Sequence, residues 1–534
     1  MKQTPLLRFR PFGGLEKIGS NISLIEYQDK IVAIDCGIQF PQDDLLGIRY
    51  LFPNISEIEK IDALIITHGH EDHIGGIIQF LRQFPNCPVY CSSFSKELIL
   101  GKLAYKKMSA NFEHYLPGDT LFLDDLEIKT IPVNHSIPET QGLHFTNSKK
   151  EFSLLFMSDF KIERDSSYEK TFSIKNFPEL TEKYPIKIAL LDSTNILVEK
   201  RKHSEFDVEN NIEKIFGQFN QRIYITTFAS NLYRLISFIK LAKKFKRKVL
   251  LKGPSFHRYL DCAVRSGLIK ESDFKGTLIN DEKRPPSNCI IIISGCQADK
   301  RSSLSNLVNQ PNNSLVPRKG DLFIFSSKAI PGNERAVANI IDELSRLGVH
   351  ILNDRHGFHC SGHADQEDLK EVYTDYAPTH AIPIHGNVYF LNKHIEFIQE
   401  NFKSITCAQL LNKDEFVINH QFELTTKLNN NSKDISFFHG SNEIEIDSQT
   451  LGERKRIARD GVVSIVLKSS RNKVMGIETM GIPMTSIDLK KELPEIIEEH
   501  SFKTKNFEQE LRSLTNNFFS LNYGVRPKLI IHLV

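Results

Sequence analysis

The residues of this chain with the clearest chemical potential form the segment THGHEDH, Thr67–His73. His68 and His70 are two residues apart, so an extended backbone points both imidazoles to the same side. A turn then brings Asp72 and His73 to the start of the helical pattern IGGIIQFLRQF. Three imidazoles and one carboxylate within six residues suit a borderline-soft divalent ion, and zinc is the default choice for such ligands. The segment therefore predicts a metal site.

One such motif does not close two metal sites, so further His and Asp ligands are expected where later strands end. His135 follows the apolar run KTIPV, Asp159 ends EFSLLFMSD, and His385 ends THAIPIHG. Each of them taken singly could equally be a helix N-cap, a turn residue or a hydrogen-bonded histidine. Their shared position after β runs predicts that the edge of a sheet presents them together.

These residues need elements that bring them together, and the sequence predicts two kinds of unit. The first 200 residues alternate short β-rich runs with turn signals, and two helical patterns interrupt them, around Gly75–Phe84 and Ser95–Met108. This mixture favours sheet layers flanked by helices over a regular βαβ alternation. From about Glu205 to about Asp354, longer helical patterns alternate with strands, which predicts a doubly wound α/β unit.

Two further segments bear on organisation. NNNSKD, Asn429–Asp434, is the most linker-like tract, and a final module of strands and an acidic helix follows it. The densest basic run is Lys240–Lys248, at the end of a helical pattern. Cations there complement the helix dipole, which favours a solvated helix end over contact with a phosphate backbone.

Composition limits the class of protein. The chain has 534 residues, 25% of them charged, and 68 Lys+Arg against 66 Asp+Glu leave a formal charge of +2. This length predicts about three or four domains, and the near-neutral charge excludes a wholly cationic nucleic-acid coat. The eight cysteines form no CxxC pair, which predicts reduced thiols. Without a signal-like or membrane-length apolar run, we expect a cytoplasmic protein that does not associate with membranes.

The order of HxHxDH, His135, Asp159 and His385 resembles the metallo-β-lactamase superfamily and, within it, the β-CASP nucleases of the ribonuclease J family. Similar segments recur along the chain: GGLEKIGSN (13–21), IDCG (34–37), SDFK (158–161), LDSTN (191–195), TTFASN (226–231), IPGNE (330–334), SGHA (361–364), PIHG (383–386) and YGVRPKLIIHLV (523–534). Asp159 and His385 are 226 residues apart (385 − 159), so a domain must be inserted between them. The β-CASP family has such an insertion, and lactamases and glyoxalases lack it.

The resemblance implies an α/β fold in which an αββα metallo-β-lactamase domain carries an inserted doubly wound β-CASP domain and is followed by a small α+β C-terminal domain. The implied bounds are 1–203 and 356–428 for the two parts of the metallo-β-lactamase domain, 204–355 for the β-CASP domain, 429–446 for a linker and 447–534 for a dimerisation domain.

The resemblance also implies a ligand set for two zinc ions per subunit, with Mn²⁺ or Mg²⁺ as alternatives. One ion would be held by His68, His70 and His135, and the other by Asp72, His73 and His385. Asp159 would bridge the ions, and Asp35 would orient the histidine-bearing loop.

The activity implied is hydrolysis of RNA phosphodiesters, with 5′-to-3′ exonuclease and endonuclease cleavage in mRNA decay and rRNA maturation. Two zinc ions would activate a water and polarise the phosphate. His363, kept basic by Asp192, would protonate the leaving ribose oxygen, and Asp72 is an alternative proton shuttle.

Two turns with small residues resemble a pocket for the 5′-monophosphate of single-stranded RNA, because their N–H groups and hydroxyls can approach an anion. The residues implied are Ser230, Asn231, His359, Ser361, Gly362 and His363. Plain tight turns are the alternative reading. The family further implies a homodimer or homotetramer and RNA-degradation partners such as a helicase.

Two segments depart from the family pattern. Asn387 stands where HGE is usual after His385, and GCQADKRSS (295–303) differs from a GSQGEP-like segment. Three alternatives remain: a DNA-processing β-CASP nuclease, a catalytically silent RNA-processing scaffold, and a small-molecule hydrolase. The third histidine His385 favours RNA over DNA, the complete ligand set disfavours the scaffold, and the inserted domain disfavours the small-molecule hydrolase.

Overall fold

The computed structural model describes residues 5–41, 47–165, 168–283, 285–300, 302–309, 314–330, 332–429, 435–468, 473–482, 488–502 and 506–534. The chain divides into two compact units, the first within Met1–Gln39 and Phe52–Asp434 and the second within Phe40–Leu51 and Ile435–Val534. The predicted linker tract lies outside the described residues from 430 to 434. The finer domain bounds stay a prediction.

Strands dominate the segment up to residue 203. They are β1 (Leu7–Gly13), β2 (Leu15–Glu16), β3 (Ile22–Tyr27), β4 (Lys30–Ile34), β5 (Ile48–Pro53), β6 (Ala63–Ile65), β7 (Pro88–Cys91), β8 (Asn111–His114), β9 (Thr120–Leu123), β10 (Leu126–Pro132), β11 (Gln141–Asn147), β12 (Phe152–Met157) and β13 (Ile186–Asp192). The helices are α1 (Glu71–Ile74), α2 (Ile77–Gln83), α3 (Ser93–Lys106) and α4 (Pro178–Thr181). The two predicted helical patterns are confirmed as α2 and α3.

Helices and strands alternate in the next segment, as the sequence predicts. The strands are β14 (Ile223–Thr226), β15 (Val249–Lys252), β16 (Leu278–Ile279), β17 (Ile290–Ile293), β18 (Leu322–Phe325) and β19 (His350–Leu352). The helices are α5 (Glu205–Gln218), α6 (Leu232–Lys244), α7 (Pro254–Arg265), α8 (Ser303–Val308) and α9 (Glu334–Arg346).

The chain then adds further strands to the sheets that the first segment forms. The strands are β20 (His380–Ile384), β21 (Gly386–Asn387), β22 (Thr406–Cys407), β23 (Glu415–Ile418) and β24 (Leu424–Lys427), and the helices are α10 (Gln366–Tyr376) and α11 (Val388–Asn401).

Two large sheets form the layers of the first unit. One has the strand order β24-β23-β1-β3-β4-β6-β7-β8 and the other β22-β20-β13-β12-β11-β10-β9. Phe9, Ile25, Leu154 and Ile188 belong to the apolar core that joins them. Helices α10 and α11 cover the second sheet through a separate apolar cluster. Strands β12 and β13 are buried throughout, which explains their continuous apolar sequences.

The alternating segment forms a third sheet, in which every pairing is parallel. Its order is β16-β15-β17-β14-β18-β19. Strand β17, with the sequence IIII, is completely buried at its centre, and α8 and α9 pack on the cluster that contains Ile291 and Ile293. Because consecutive strands lie on both sides of β14, the sheet is doubly wound, as predicted.

The second unit contains β25 (Ile435–His439), β26 (Ile444–Ile446), β27 (Val462–Lys468), β28 (Lys473–Met480) and β29 (Lys528–Leu533), with α12 (Ser448–Asp460), α13 (Leu489–Glu499) and α14 (Phe507–Tyr523). Strand β27 lies between β28 and β29, and its residues Val463 and Ile465 pack against Leu493 and Phe519 of the helices. This is the small α+β module predicted at the end of the chain. Within the described part of the chain, no helix is both long and apolar enough to span a bilayer.

The basic run Lys240–Lys248 spans the end of α6, and its lysines are exposed whereas its arginine is buried. Lys243 and Lys244 lie in the last turn of the helix, as the dipole argument predicts. Arg247 is buried, and its guanidinium donates to the carbonyl oxygens of Phe219 at 2.5 Å, Gln221 at 2.6 Å and Asn288 at 2.9 Å. Arg247 therefore ties the end of α5 to the strands that follow.

We predict that Arg247→Ala lowers the free energy of unfolding by about 1–3 kcal/mol, because it leaves buried carbonyl groups without donors. The exposed Lys243 provides the matched control, and Lys243→Ala should change the value by at most about 0.5 kcal/mol. Urea unfolding followed by far-ultraviolet circular dichroism measures both. Equal effects of the two substitutions would contradict the structural role of Arg247.

Candidate active site

The segment Thr67–His73 leaves the end of β6 and enters α1, so the histidines stand at a strand–helix turn. His70 is the N-cap residue of α1, and Asp72 and His73 lie in its single turn. The side chains of His68 and His73 are fully buried, whereas Asp72 is partly exposed. The turn thus directs all four predicted ligands of this motif into one site.

One group of ligand atoms comes from His68, His70, His135 and Asp159, and these atoms lie within 4.8 Å of one another. Nδ1 of His70 is 3.1 Å from Nε2 of His68 and 3.1 Å from Nε2 of His135. Oδ2 of Asp159 is 3.4 Å from Nε2 of His135. Residues from three separate strand ends therefore share one centre.

A second group lies beside it and contains Asp72, His73 and His385. Oδ2 of Asp72 is 3.6 Å from Nε2 of His73 and 3.6 Å from Nε2 of His385. The other oxygen of Asp159, Oδ1, is 3.2 Å from Nε2 of His73 and 3.4 Å from Nε2 of His385. Each oxygen of Asp159 thus faces a different group.

In three of the ligand histidines, Nδ1 contacts a neighbouring polar group. Nδ1 of His135 donates to the carbonyl oxygen of Gly362 at 2.7 Å, and Nδ1 of His73 donates to Oδ2 of Asp35 at 2.7 Å. Nδ1 of His385 lies 2.7 Å from Oγ1 of Thr194. Because each of these contacts uses Nδ1, the Nε2 atoms are left to face the centre.

The donor set fits a metal ion. Among the described residues, Oδ1 of Asp159 and Nε2 of His385 are buried without a hydrogen-bond partner. Buried polar atoms are rarely left unpaired, and a cation would satisfy both of them and the facing imidazole nitrogens together. Imidazole and carboxylate groups are also the donors that zinc prefers. The cluster of histidine and aspartate residues is therefore able to bind metal.

Electrostatics favour a cation at the same place. Burial lowers the pKa of His70 to about 4 and holds the pKa values of His68 and His135 well below the usual range, so these imidazoles are neutral, as ligands must be. Burial opposes protonation of His73 too, but Asp159, Asp72 and Asp35 outweigh it and raise the pKa of His73 to about 10. The carboxylates that stabilise a positive charge on His73 would stabilise a metal cation at the same place.

Asp35 supports this arrangement from behind. It accepts hydrogen bonds from the backbone N–H of Thr67 at 2.8 Å and from Nδ1 of His73. Its φ of 62° and the φ of 51° at His385 place both residues in the left-handed region, which non-glycine residues seldom occupy. Such strain persists only where the surroundings enforce it and is concentrated at functional sites.

Asp192 ends β13 and contacts two histidines. Its Oδ2 accepts from Nδ1 of His363 at 2.7 Å, and its Oδ1 is 3.3 Å from Nδ1 of His385. Burial would raise the pKa of Asp192, but His363 and His385 lower it to about 2. Burial acts to lower the pKa of His363, but the carboxylate of Asp192 outweighs burial, so the pKa of His363 is raised. The side chain of His363 is 22% exposed, against 1% for His385, so solvent and substrate can reach it.

The two serine-bearing turns are placed differently. In the second turn, Oγ of Ser361 accepts from the backbone N–H of His363 at 3.2 Å, and Gly362 contacts His135, so this turn borders the ligand cluster. In the first turn, Ser230 precedes Asn231, which is the N-cap residue of α6. One cavity is lined by both Asn231 and His135, which places the first turn near the cluster as well.

Sequence reasoning overlooked several buried or partly buried polar and charged residues of this site. Thr67 and Thr194 orient ligand histidines, and Lys161, Glu205 and Arg234 line the cavity beside His135. The hydroxyls stand next to ligands in THGH and LDST, so their sequence position was a usable signal. The charges gave no such signal, because their sequence neighbours do not reveal burial.

Comparisons with known families agree with this geometry. Models of three families match successive parts of the chain: the metallo-β-lactamase superfamily at residues 16–144, the ribonuclease J β-CASP domain at 220–344, and the zinc-dependent metallo-hydrolase RNA specificity domain at 349–407. Together with the sheets described above, they confirm the predicted fold class.

Curated relatives cover most of the chain. Ribonuclease J of Mycoplasma genitalium is 30% identical over 88% of this chain and 84% of its own length. Ribonuclease J 1 of Streptococcus pyogenes is 31% identical over 87% and 83%, and ribonuclease J of Synechocystis sp. is 29% identical over 95% and 79%. A crystal structure of a protein of unknown function from Enterococcus faecalis V583 shares the fold, with a TM-score of 0.56 at 15% identity, over 77% of this chain and 100% of that one.

We predict that Gly362→Ala weakens metal binding, because the added Cβ would lie 2.9 Å from Cε1 and 3.0 Å from Nδ1 of His135 and must displace that ring. Metal content of the purified variant, measured by mass spectrometry, should fall below that of the wild type. Gly101→Ala is the matched control: Gly101 lies in α3 with no atom within 4 Å of the added Cβ, so metal content should not change. Full metal content in the Gly362→Ala protein would contradict the close packing against His135.

Proposed function

This chain belongs to the ribonuclease J family of metallo-hydrolases, and from that membership we propose that it is a zinc-dependent ribonuclease with 5′-to-3′ exonuclease and endonuclease activity. The observation that carries the proposal is Asp159, whose two oxygens face two separate groups of ligand atoms beside the His363–Asp192 pair. mRNA decay and rRNA maturation are the processes in which we expect it to act.

Two zinc positions follow from the two groups. His68, His70 and His135 are proposed to hold one ion, Asp72, His73 and His385 the other, and Asp159 to bridge them. Zinc bound there would polarise the phosphate and lower the pKa of a water towards neutrality. Asp35 and Thr194 contact Nδ1 of His73 and of His385 and would thereby keep Nε2 of each ring available to an ion.

His363 is proposed as the general acid. Its Nδ1–H is engaged by Asp192, which stabilises the protonated imidazole and fixes the ring. A water that has lost one proton to solvent would bond through its oxygen to phosphorus. The bond between phosphorus and the leaving ribose oxygen would break, and His363 would give its proton to that oxygen. An enzyme that requires a 5′-monophosphate for every round must leave the phosphate on the remaining RNA, so the leaving atom is the 3′ oxygen of the released nucleotide.

RNA is favoured over DNA by the match of residues 349–407 to an RNA specificity domain and by the presence of His385. A silent scaffold is disfavoured, since the described residues retain all seven ligands in two compact groups. The turns with Ser230, Asn231, His359, Ser361 and Gly362 are proposed to receive the 5′-monophosphate. A homodimer or homotetramer and a helicase partner complete the proposal.

The 5′ end should control the exonucleolytic rate. We expect RNA with a 5′-monophosphate to be degraded faster than the same RNA with a 5′-triphosphate or a 5′-hydroxyl. The proposed pocket of two small turns would bind a compact anion, whereas a hydroxyl has no charge and a triphosphate is larger. End-labelled RNAs resolved on a sequencing gel report rate and polarity, and a chelator should abolish all cleavage. Equal rates on the three RNAs would exclude the pocket, and cleavage of the matching deoxyribo-oligonucleotide at the same rate would favour the DNA-processing alternative.

Replacing the general acid should separate catalysis from metal binding. We expect His363→Ala to lower kcat by about 100- to 10,000-fold while zinc content stays at the wild-type level, because His363 moves a proton and holds no ion. Its ring also lies close to Asp159 and His385, so a role as ligand is the competing assignment. Loss of zinc from the purified His363→Ala protein would establish that competing role.

A further inference from the structure

The segment His359–His363, called the return segment below, lies between β19 of the parallel sheet and α10, which covers the second large sheet. It carries His363 and most of the second small turn. Asp192 contacts the ring of His363, and Nδ1 of His135 holds the carbonyl oxygen of Gly362. These two contacts secure the end of the segment that faces the ligand cluster. The beginning of the segment is held by the inserted sheet and its helices.

Arg234 of α6 binds the beginning of the return segment. It is buried, with 3% of its surface exposed, and its Nη2 donates to the carbonyl oxygen of Cys360 at 3.0 Å. Nη1 donates to Nδ1 of His359 at 3.2 Å and to the carbonyl oxygen of Ser326, after β18, at 2.9 Å. A single guanidinium thus joins the end of a strand in the parallel sheet to the first two residues of the return segment.

Glu205, the first residue of α5, fixes the orientation of Arg234. Its Oε1 accepts from Nη2 at 2.6 Å and its Oε2 accepts from Nε at 3.0 Å, a bidentate pair. Counted with the contacts above, the five N–H donors of a guanidinium meet five acceptors. Arg234 therefore has no donor left for a substrate phosphate, and its charge is balanced by Glu205.

The pair is also linked to the segment that follows β12 and contains Asp159. Lys161, two residues further on and 1% exposed, lies 3.4 Å from Oε1 of Glu205 and 2.9 Å from Glu163. Burial would raise the pKa of Glu205, but Arg234 and Lys161 lower it to about 2, so the carboxylate is charged at neutral pH. Two buried cations, Lys161 and Arg234, and the partly exposed carboxylate of Glu205 therefore meet where the return segment begins.

We propose that Arg234, held by Glu205, is a positioning residue that places the return segment so that His363 can protonate the leaving oxygen. This inference rests on the proposed ribonuclease function. A displacement of the order of 1 Å at a positioned catalytic group can cost about 100-fold in rate. Cys360 is only three residues from His363, and its carbonyl oxygen is bonded to Arg234 rather than to a ligand. Freeing this oxygen would shift the acid while the hydrogen bond between Gly362 and His135 still holds that ligand.

Arg234→Lys tests the inference, because an ammonium has three donors and no planar fork and cannot meet the five acceptors together. The variant is assayed on two 5′-monophosphorylated RNAs of identical sequence. One has the ordinary linkage, and the other has sulfur in place of the leaving 3′ oxygen. A thiolate departs without a proton, so only the ordinary linkage needs His363. Any effect on the binding of the 5′ end is common to both RNAs.

We expect Arg234→Lys to lower kcat on the ordinary RNA by about 100-fold and on the sulfur-containing RNA by less than about 5-fold, with zinc content unchanged. Glu205→Gln should act in the same direction, because it leaves Arg234 without its counter-charge, and it decides the matter if Arg234→Lys does not fold. Arg222→Lys is the matched control. Arg222 forms another buried pair of the parallel sheet, with Asp321 at 2.9 Å, and its replacement should affect neither RNA by more than about 3-fold.

Equal losses on the two RNAs, loss of zinc, or unchanged turnover on the ordinary RNA would each overturn the positioning role of Arg234. Failure of the wild-type protein to cleave either RNA would instead overturn the proposed function. The two failures are therefore distinguishable within one set of assays.

Discussion

The buried carboxylate of Asp159 is the interaction on which the rest of this structure depends. A carboxylate removed from water is strongly unfavourable unless it is paired, and Asp159 is only 3% exposed. Its two oxygens are surrounded by imidazoles from the THGHEDH turn, from His135 and from His385. The coulombic effect of these histidines outweighs burial and keeps the pKa of Asp159 well below its usual range. Five imidazoles must converge on one point, and the fold is arranged to achieve this.

Sheet topology explains the convergence. Strands β12, β13 and β20 are adjacent and parallel, so Asp159, Asp192 and His385 follow strand ends at the same edge. The other large sheet contributes the turn after β6, and the core between the two sheets fixes the distance between the edges. The site is therefore produced by ordinary packing of two apolar faces. Its polar residues are supplied only where the strands stop.

The inserted parallel sheet is joined to this edge at the two points where the chain leaves and re-enters it. Asp192 precedes the exit, and the return segment follows the re-entry. Lys161, Glu205 and Arg234 connect the two points through ion pairs, in which both cations are buried and the carboxylate of Glu205 is partly exposed. Such pairs contribute little net stability once desolvation is counted, but breaking one leaves an uncompensated charge. They consequently specify a geometry more than they stabilise a fold.

The sequence by itself determined the chemical class of the site and the succession of its elements. Side-chain geometry and hydrophobic periodicity impose local patterns that the sequence shows directly. These patterns are the HxHxDH spacing, the β runs before His135, Asp159 and His385, and the start of alternating helices and strands near Glu205. The tertiary structure alone decided which oxygen of Asp159 faces which group, that Arg247 is buried within a basic run, and that Arg234 holds the return segment. Strand β11, whose mixed sequence QGLHFTN gave no clear pattern, is likewise buried because it lies between β10 and β12 and places Leu143 and Phe145 in the core between the two sheets. Burial and partner choice arise from residues distant in sequence, so no local pattern can encode them.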